Sequence, residues 1–302
     1  LVRGWLTRSA SVVGLLFFLL LLLVPAARAQ DEEPEEPDFF FLTGGPYTQK
    51  KTSPQTIWAN QWFRDRNGDA SARAYVGAGR AEWGITDRWE LDFEFGALAL
   101  KQREAGLTTF AEHSAADLLF GVRYRLLREG SAPFTLTMGP QVIAPVASRR
   151  RGLGTGEVGY AWDIAAAKDW GGPVFLVASA NLGLTPNVPA FPDGSSPELD
   201  LSSVEWSTAL GWRALERPAG DAHHDIHALF EIGGVRADFI DAGARTRVTE
   251  VFFSPGFRYG YLSGWGSLTE IGVAFPVGLT RDSADWGVIL QVQFELAPLF
   301  GN

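Results

Sequence analysis

The sequence predicts an all-β chain, a transmembrane antiparallel up-and-down β-barrel of about 12 strands. Two observations carry this expectation. From Gln55 onward apolar residues recur at period two, in stretches of about ten, as they do when one face of a strand meets lipid and the other a lumen. After residue 29 no window is long and apolar enough for a helical span.

Residues 1–29 read as a cleaved signal peptide. Arg3 and Arg8 precede an apolar run from Val12 to Val24, and Ala27-Arg28-Ala29 has the small-x-small pattern of signal peptidase. That run is shorter than the roughly 20 residues of a membrane helix. Residues 30–53 are expected to be an acidic, disordered periplasmic segment, because DEEPEEPD at 31–38 is a run of like charge broken by Pro34 and Pro37. Residues 54–302 are left for the barrel.

Twelve stretches fit the alternating pattern: 55–64, 73–83, 88–100, 115–127, 133–146, 157–168, 173–184, 202–215, 225–237, 247–258, 267–279 and 286–296. The third is the clearest, with Trp89, Leu91, Phe93, Phe95, Ala97 and Ala99 interleaved with Glu90, Asp92, Glu94 and Gly96. A dry core on both faces would bury three carboxylates without partners, so the polar face must meet a lumen. The outward set therefore holds Leu91, Phe93, Phe95, Phe120, Val122, Val288 and Val292. The links after the second, fourth and sixth stretches are tight, whereas 101–114 and 185–201 read as long outer loops. Arg217 to His224 is long for a turn. An even strand number returns both ends of the chain to the same side, and closure is required because an open edge in lipid leaves N–H and C=O groups unpaired.

Composition narrows the function. The chain has no cysteine, which excludes disulfides, thiolate metal sites and a lipidated cysteine. Removing Arg3, Arg8 and Arg28 from the 26 basic residues leaves 23 against 35 acidic, a charge of −12, so no nucleic acid is expected as a partner.

Several segments also resemble a known family. Gly84-Ile-Thr-Asp-Arg88 before an alternating strand, FGVRYRLL from Phe120, APFTLTMGPQVIAPV from Ala132, GTGE from Gly154 and AKDWGGPVFLVASANLGLTP from Ala167 are similar to the outer-membrane barrels labelled MetA-pathway of phenol degradation. The resemblance covers most of the chain after the leader. It implies a barrel that passes small molecules, aromatic or hydrophobic ones among them, and it supplies no substrate-binding motif.

Catalytic and metal chemistry is sparse. An outer-membrane lipid-modifying enzyme would place His and Ser two apart on one strand face, whereas His113 and Ser114 are adjacent and point to opposite faces. His223, His224, Asp225 and His227 are ligand types for zinc or nickel but lack a closed spacing. No catalytic residue, metal site or cofactor is therefore assigned. Arg149, Arg150 and Arg151 read as a solvated outer loop, Gly152 to Gly156 as a flexible one, and the tryptophans near strand ends as a membrane girdle.

The expected function is a narrow channel or uptake barrel for small molecules in the bacterial outer membrane. The alternatives are a structural or loop-binding barrel and the lipid-modifying enzyme. Expected partners are outer-membrane lipid and lipopolysaccharide, the barrel-assembly machinery and a small-molecule solute. The candidate lumen lining is Glu90, Asp92, Glu94, Asp117, Arg123, Arg125, Glu157, Asp163, Glu205, Arg213, His227, Glu231, Glu250, Arg258, Glu270, Gln291, Gln293 and Glu295. Its surplus of acids should favour cations. Asp117, Arg123 and Arg125 are expected to pair with the Glu90 to Glu94 ladder.

Overall fold

The computed structural model describes residues 39–67, 70–105, 107–151, 153–190, 197–219, 222–241 and 243–297. The leader at 1–29 and the acidic run at 31–38 lie outside them. Among the described residues the chain forms β1 (Pro54–Asn67), β2 (Ala70–Gly84), β3 (Trp89–Glu104), β4 (Leu107–Ala115), β5 (Leu118–Leu127), β6 (Thr135–Ala144), β7 (Gly159–Asp169), β8 (Val174–Pro189), β9 (Glu198–Ala219), β10 (Ala222–Asp241), β11 (Ala244–Leu262), β12 (Leu268–Ala274), β13 (Val277–Gly278) and β14 (Trp286–Glu295), with a single 3-10 turn at Arg149–Arg151.

The wall runs β1-β2-β3-β5-β6-β7-β8-β9-β10-β11-β12-β14, and β1 pairs antiparallel with β14 from Gln55↔Glu295 to Arg64↔Trp286. The sheet is therefore closed on itself, a 12-strand antiparallel barrel, with β4 off the ring and paired to β3. Two wall strands are broken. β4 pairs the Ala97–Glu104 half of β3 and β5 pairs the Trp89–Glu94 half, so together they make one strand interrupted at Ala116-Asp117. β12 and β13 are likewise two pieces of one strand, parted at Phe275-Pro276, where proline has no N–H to give the ladder. Pro54 and Glu295 mark the base of the barrel; the opposite end is its rim.

The strands outrun the sequence expectation at several places. Residues 101–114, expected as a loop, continue β3 and turn back as β4, pairing Glu104↔Leu107 through Ala97↔Ala115. The hairpin projects from the rim on main-chain hydrogen bonds, which need no lipid-facing alternation. Most of the described part of 185–201 belongs to β8 and β9 for the same reason. Arg217 to His224 is no long turn, since β9 and β10 stay paired to Ala219↔Ala222, with a register shift beside Ile226 and His227 absorbing the change of phase.

Outward side chains form an apolar belt between two aromatic rings. Trp83, Trp89, Trp212, Tyr259 and Tyr261 are exposed on the base side. Trp62, Trp162, Tyr160 and Trp286 are exposed on the rim side. Between them stand Leu91, Phe120, Leu182, Leu210, Phe230, Ile271 and Leu290, also exposed. Indole and phenol bury their rings in hydrocarbon while their polar atoms reach headgroups, so two such rings delimit a membrane-facing band. Glu82, Glu90, Asp92, Arg123, Arg125, Asp225, Glu231, Arg258 and Glu270 of the same strands point inward and are buried.

The largest departure concerns residues 39–53, expected as part of a disordered periplasmic segment. Of these, residues 39–49 lie inside the barrel, with Phe39, Phe40, Phe41, Tyr47, Thr48 and Gln49 buried, while Lys50 and Lys51 are exposed at its base. Three consecutive phenylalanines gain roughly 1.5–3 kcal/mol each on leaving water, and they cluster with Phe175, Val177, Leu229, Ala274 and Ile289 of the inner wall. The segment joins β1 through a turn at Lys51-Thr52, where Thr52 adopts φ 65° and donates its N–H to Gly84 O at 2.8 Å.

Candidate functional site

The lumen has two halves. The base half is filled by residues 39–49 and the wall groups that hold them. Glu231, wholly buried on β10, accepts hydrogen bonds from the N–H groups of Phe41, Leu42 and Thr43, each at 2.8 Å. Successive amides aimed at one carboxylate make a small anion nest. Ser179 Oγ accepts from Gly44 N at 3.0 Å. Arg123 donates to Gly45 O and Thr137 to Pro46 O. Arg125 donates to Thr48 O at 3.5 Å and to Asp87 O at 2.7 Å.

Glycines in the wall make room for the rings. A Cβ on Gly272 would stand 2.6 Å from the Phe41 ring and 2.7 Å from that of Phe39, and one on Gly256 would stand 2.7 Å from Phe41. Phe39 and Phe41 meet edge to face with centroids 5.3 Å apart. Phe40 packs on Phe175, whose ring in turn lies over Gly211 and beneath the Arg213 guanidinium at 4.9 Å.

Two ion networks brace this half. In the first, Arg80 binds Glu82 at 2.9 Å and Asp92 at 3.1 Å, and Arg123 binds Glu90 at 3.2 Å and Asp163 at 3.3 Å. Glu82, Glu90 and Asp92 bring carboxylate oxygens within 4.8 Å of one another, and the two guanidiniums supply the counter-charge such a group requires. In the second, Arg258 binds Asp225 at 2.9 Å and also pairs with Glu270, while its Nε donates to His227 Nδ1 at 3.0 Å. Arg213 pairs with Asp169 at the base.

On the rim side of the segment lies a partly open cavity of about 850 Å³. Phe40, Phe41, Leu42 and Tyr47 form part of its floor. Ile57, Phe63, Val76, Leu119, Ile143 and Phe252 give it apolar walls, and Gln61, Glu94, Asp163, Asn181, Glu205 and Gln291 give it polar ones. Asn181 Nδ2 donates to Gln141 Oε1 at 2.7 Å.

The sequence-derived residues divide accordingly. Glu94, Arg123, Asp163, Glu205 and Gln291 line the cavity. Glu90, Asp92, Arg125, His227, Glu231, Arg258, Glu270 and Gln293 are buried below it or around the inserted segment, and Arg213 joins them. Glu250 shares the inward face of β11 with Phe252, and Glu295 that of β14 with Gln293.

Two expected lumen residues stand elsewhere. Glu157 is on the bend before β7, its N–H donating to Thr155 Oγ1 at 3.3 Å, because the strand begins only at Gly159. Asp117 sits in the break between β4 and β5, where its Oδ1 accepts from Val146 N and Ala147 N at 2.9 and 2.8 Å. It ties a rim loop instead of joining the Arg123 network. The histidine cluster is split by the wall: Asp225 and His227 face inward, while His224 meets Tyr259 Oη at 2.6 Å on the opposite face. Arg151 donates to His113 O at 2.6 Å, bracing the β4 hairpin.

Sequence reasoning passed over Arg80, Glu82, Thr137, Ser179 and the inserted segment. Arg80 and Glu82 follow Val76 and Ala78 at period two, which is the signal that would have placed them in the lumen.

No known family profile matches the chain, and no curated protein matches it. Solved structures similar to it include the β domain of the Bordetella autotransporter BrkA, 11% identical, covering 81% of this chain and 98% of that one with a TM-score of 0.45. The translocator domain of the autotransporter NalP from Neisseria meningitidis is 12% identical and covers 81% and 87%, with a TM-score of 0.43. The NanC porin is 10% identical and covers 81% and 99%, also at 0.43.

Proposed function

We propose that this chain is an outer-membrane barrel that admits small molecules from the cell exterior, with its rim outward and its base in the periplasm. The belt of exposed apolar side chains between two aromatic rings supports residence in a membrane. The observation that carries the reading is the cavity of about 850 Å³ inside that belt, which lies within the size range of small-ligand sites. Its walls combine aliphatic and aromatic side chains with carboxylates and carboxamides. That lining suits a small solute with an apolar body, and the similarity of sequence segments to MetA-pathway barrels points to the same class. The surplus of carboxylates around the cavity favours cations over anions.

The test is uptake into vesicles holding the purified full-length chain, compared for ions, sugars and small aromatics. Entry of small aromatics above the empty-vesicle rate supports the reading. Filling of the base half by residues 39–49 favours a second reading, a closed structural barrel, and absence of both conductance and uptake would establish that one instead.

A further inference from the structure

Residues 39–49 occupy the lumen without belonging to the wall. None of them pairs in the sheet. Their polar ties to Glu231, Ser179, Arg123, Thr137 and Arg125 all run from a wall side chain to the segment's main chain. Every ladder hydrogen bond of the barrel therefore survives if the segment leaves. The segment would give up those main-chain partners, the Gln49 side-chain bonds to Gln55 and Glu82 and the Thr48 bond to Asp87 O, and water can take up the released polar groups. The wall side chains it would uncover are of two kinds: Arg123 and Ser179, which already line the cavity, and Glu231, Phe175, Val177, Leu229 and Ile289, which are buried beside the segment.

The anchoring is uneven. One carboxylate, Glu231, holds three successive N–H groups, and its own remaining surroundings are closed to solvent. At the other end the chain turns at Lys51-Thr52 just before β1, with Thr52 at φ 65°, a backbone state that costs a β-branched residue energy. The segment is thus a strip joined to β1 at one end, clasped along its length by Ser179, Arg123, Thr137, Arg125 and Glu90, and held at Phe41–Thr43 by three N–H bonds to Glu231.

We propose that residues 39–49 are a displaceable gate: release from Glu231, followed by release of the ties from Gly44 to Gln49, lets the strip pivot at Lys51-Thr52 and joins the rim-side cavity to the base. The proposal rests on the uptake reading for its purpose, though its mechanics are separable from it. Closed is the resting state, because Phe39, Phe40, Phe41 and Tyr47 are buried there.

A reversible lock tests it in the full-length chain. A Cβ placed on Gly44 lies 3.6 Å from Ser179 Cβ, inside the roughly 3.5–4.5 Å span of a disulfide. The chain has no cysteine of its own, so Gly44→Cys with Ser179→Cys forms a unique pair. In planar bilayers the oxidised pair should silence ion conductance and reduction should restore it. In the unlocked chain Glu231→Gln should raise the open fraction about tenfold or more, since a neutral carboxamide accepts more weakly and brings an N–H toward the donors. Equal conductance oxidised and reduced, or no change with Glu231→Gln, overturns the gate. If the double variant fails to fold, labelling of Gly44→Cys alone by a bulky water-soluble thiol reagent decides: faster labelling in the Glu231→Gln background supports displacement, and an unchanged rate overturns it. The uptake reading fails separately. Conductance that obeys the lock while no solute enters vesicles keeps the gate and removes uptake; solute entry with the lock closed does the reverse.

Discussion

Replacing Phe93 by arginine probes the membrane placement of the wall. Phe93 lies four residues above Trp89 of the base-side aromatic ring, about 13 Å along the strand at roughly 3.3 Å per residue. With a strand tilt of about 40° that is about 10 Å of height, close to the middle of an apolar band about 25 Å tall. A guanidinium there costs about 2–4 kcal/mol. The ring also packs on Phe120 at 4.9 Å and Phe95 at 5.6 Å, contacts worth about 0.5–1.5 kcal/mol each. Phe93→Leu removes the ring contacts without adding charge, so the difference between the two variants isolates the lipid term. Urea unfolding of the chain folded into phospholipid vesicles measures both. Phe93→Arg should be less stable than Phe93→Leu by about 2–4 kcal/mol. A difference under about 0.5 kcal/mol would mean that Phe93 meets water, and the inside-out assignment of every strand would fall with it.

Other substitutions address the interior. Arg258→Met strips the counter-charge from buried Asp225 and Glu270 and should destabilise the barrel by about 3–5 kcal/mol in the same unfolding assay, whereas also changing Asp225→Asn and Glu270→Gln should recover much of the loss. Gly211→Val drives a side chain into the Phe175 ring and should cost about 1–3 kcal/mol, with Phe175→Ala in the same chain relieving the clash. Glu94→Gln with Glu205→Gln removes two carboxylates from the cavity lining and should lower cation preference in reversal potentials measured across a salt gradient. An unchanged potential would show that these groups do not face the conducting path.

The wall was legible in the sequence because its physics is local. Trp89, Leu91 and Phe93 alternate with Glu90, Asp92 and Glu94, and strand geometry converts that alternation directly into two faces. The β3–β4 hairpin was not legible: above the membrane its Lys101, Gln102, Arg103 and Glu104 carry no apolar face, and main-chain pairing leaves no trace in composition. Asp117 misled for a related reason, since its position beside an alternating stretch concealed that the strand breaks there to bind a loop. The inserted segment was missed because the acidic run at 31–38 set the reading for everything up to Ser53. Yet Phe39-Phe40-Phe41-Leu42 does not suit a solvated tail, and the buried Glu231 that holds it could only be recognised once the three amides facing it were known.

The place of the segment in the chain also bears on how the barrel is built. Residues 39–53 immediately precede β1, and β1 closes the seam with β14, whose residues come from the far end of the chain. Among the described residues that seam is the least local strand pairing, and it is expected to form late, because distant strands must meet before any reward is gained. The segment's anchors, Thr137, Ser179 and Glu231, belong to strands made in the interval. A strip carrying β1 at one end and clasping β6, β8 and β10 along its length draws the first strand across the concave side of the growing sheet. It holds β1 near where β14 must arrive, which makes it an internal template for closure as well as a filling of the finished lumen. Weakening its clasp should then slow the last step of assembly even where the completed barrel is equally stable.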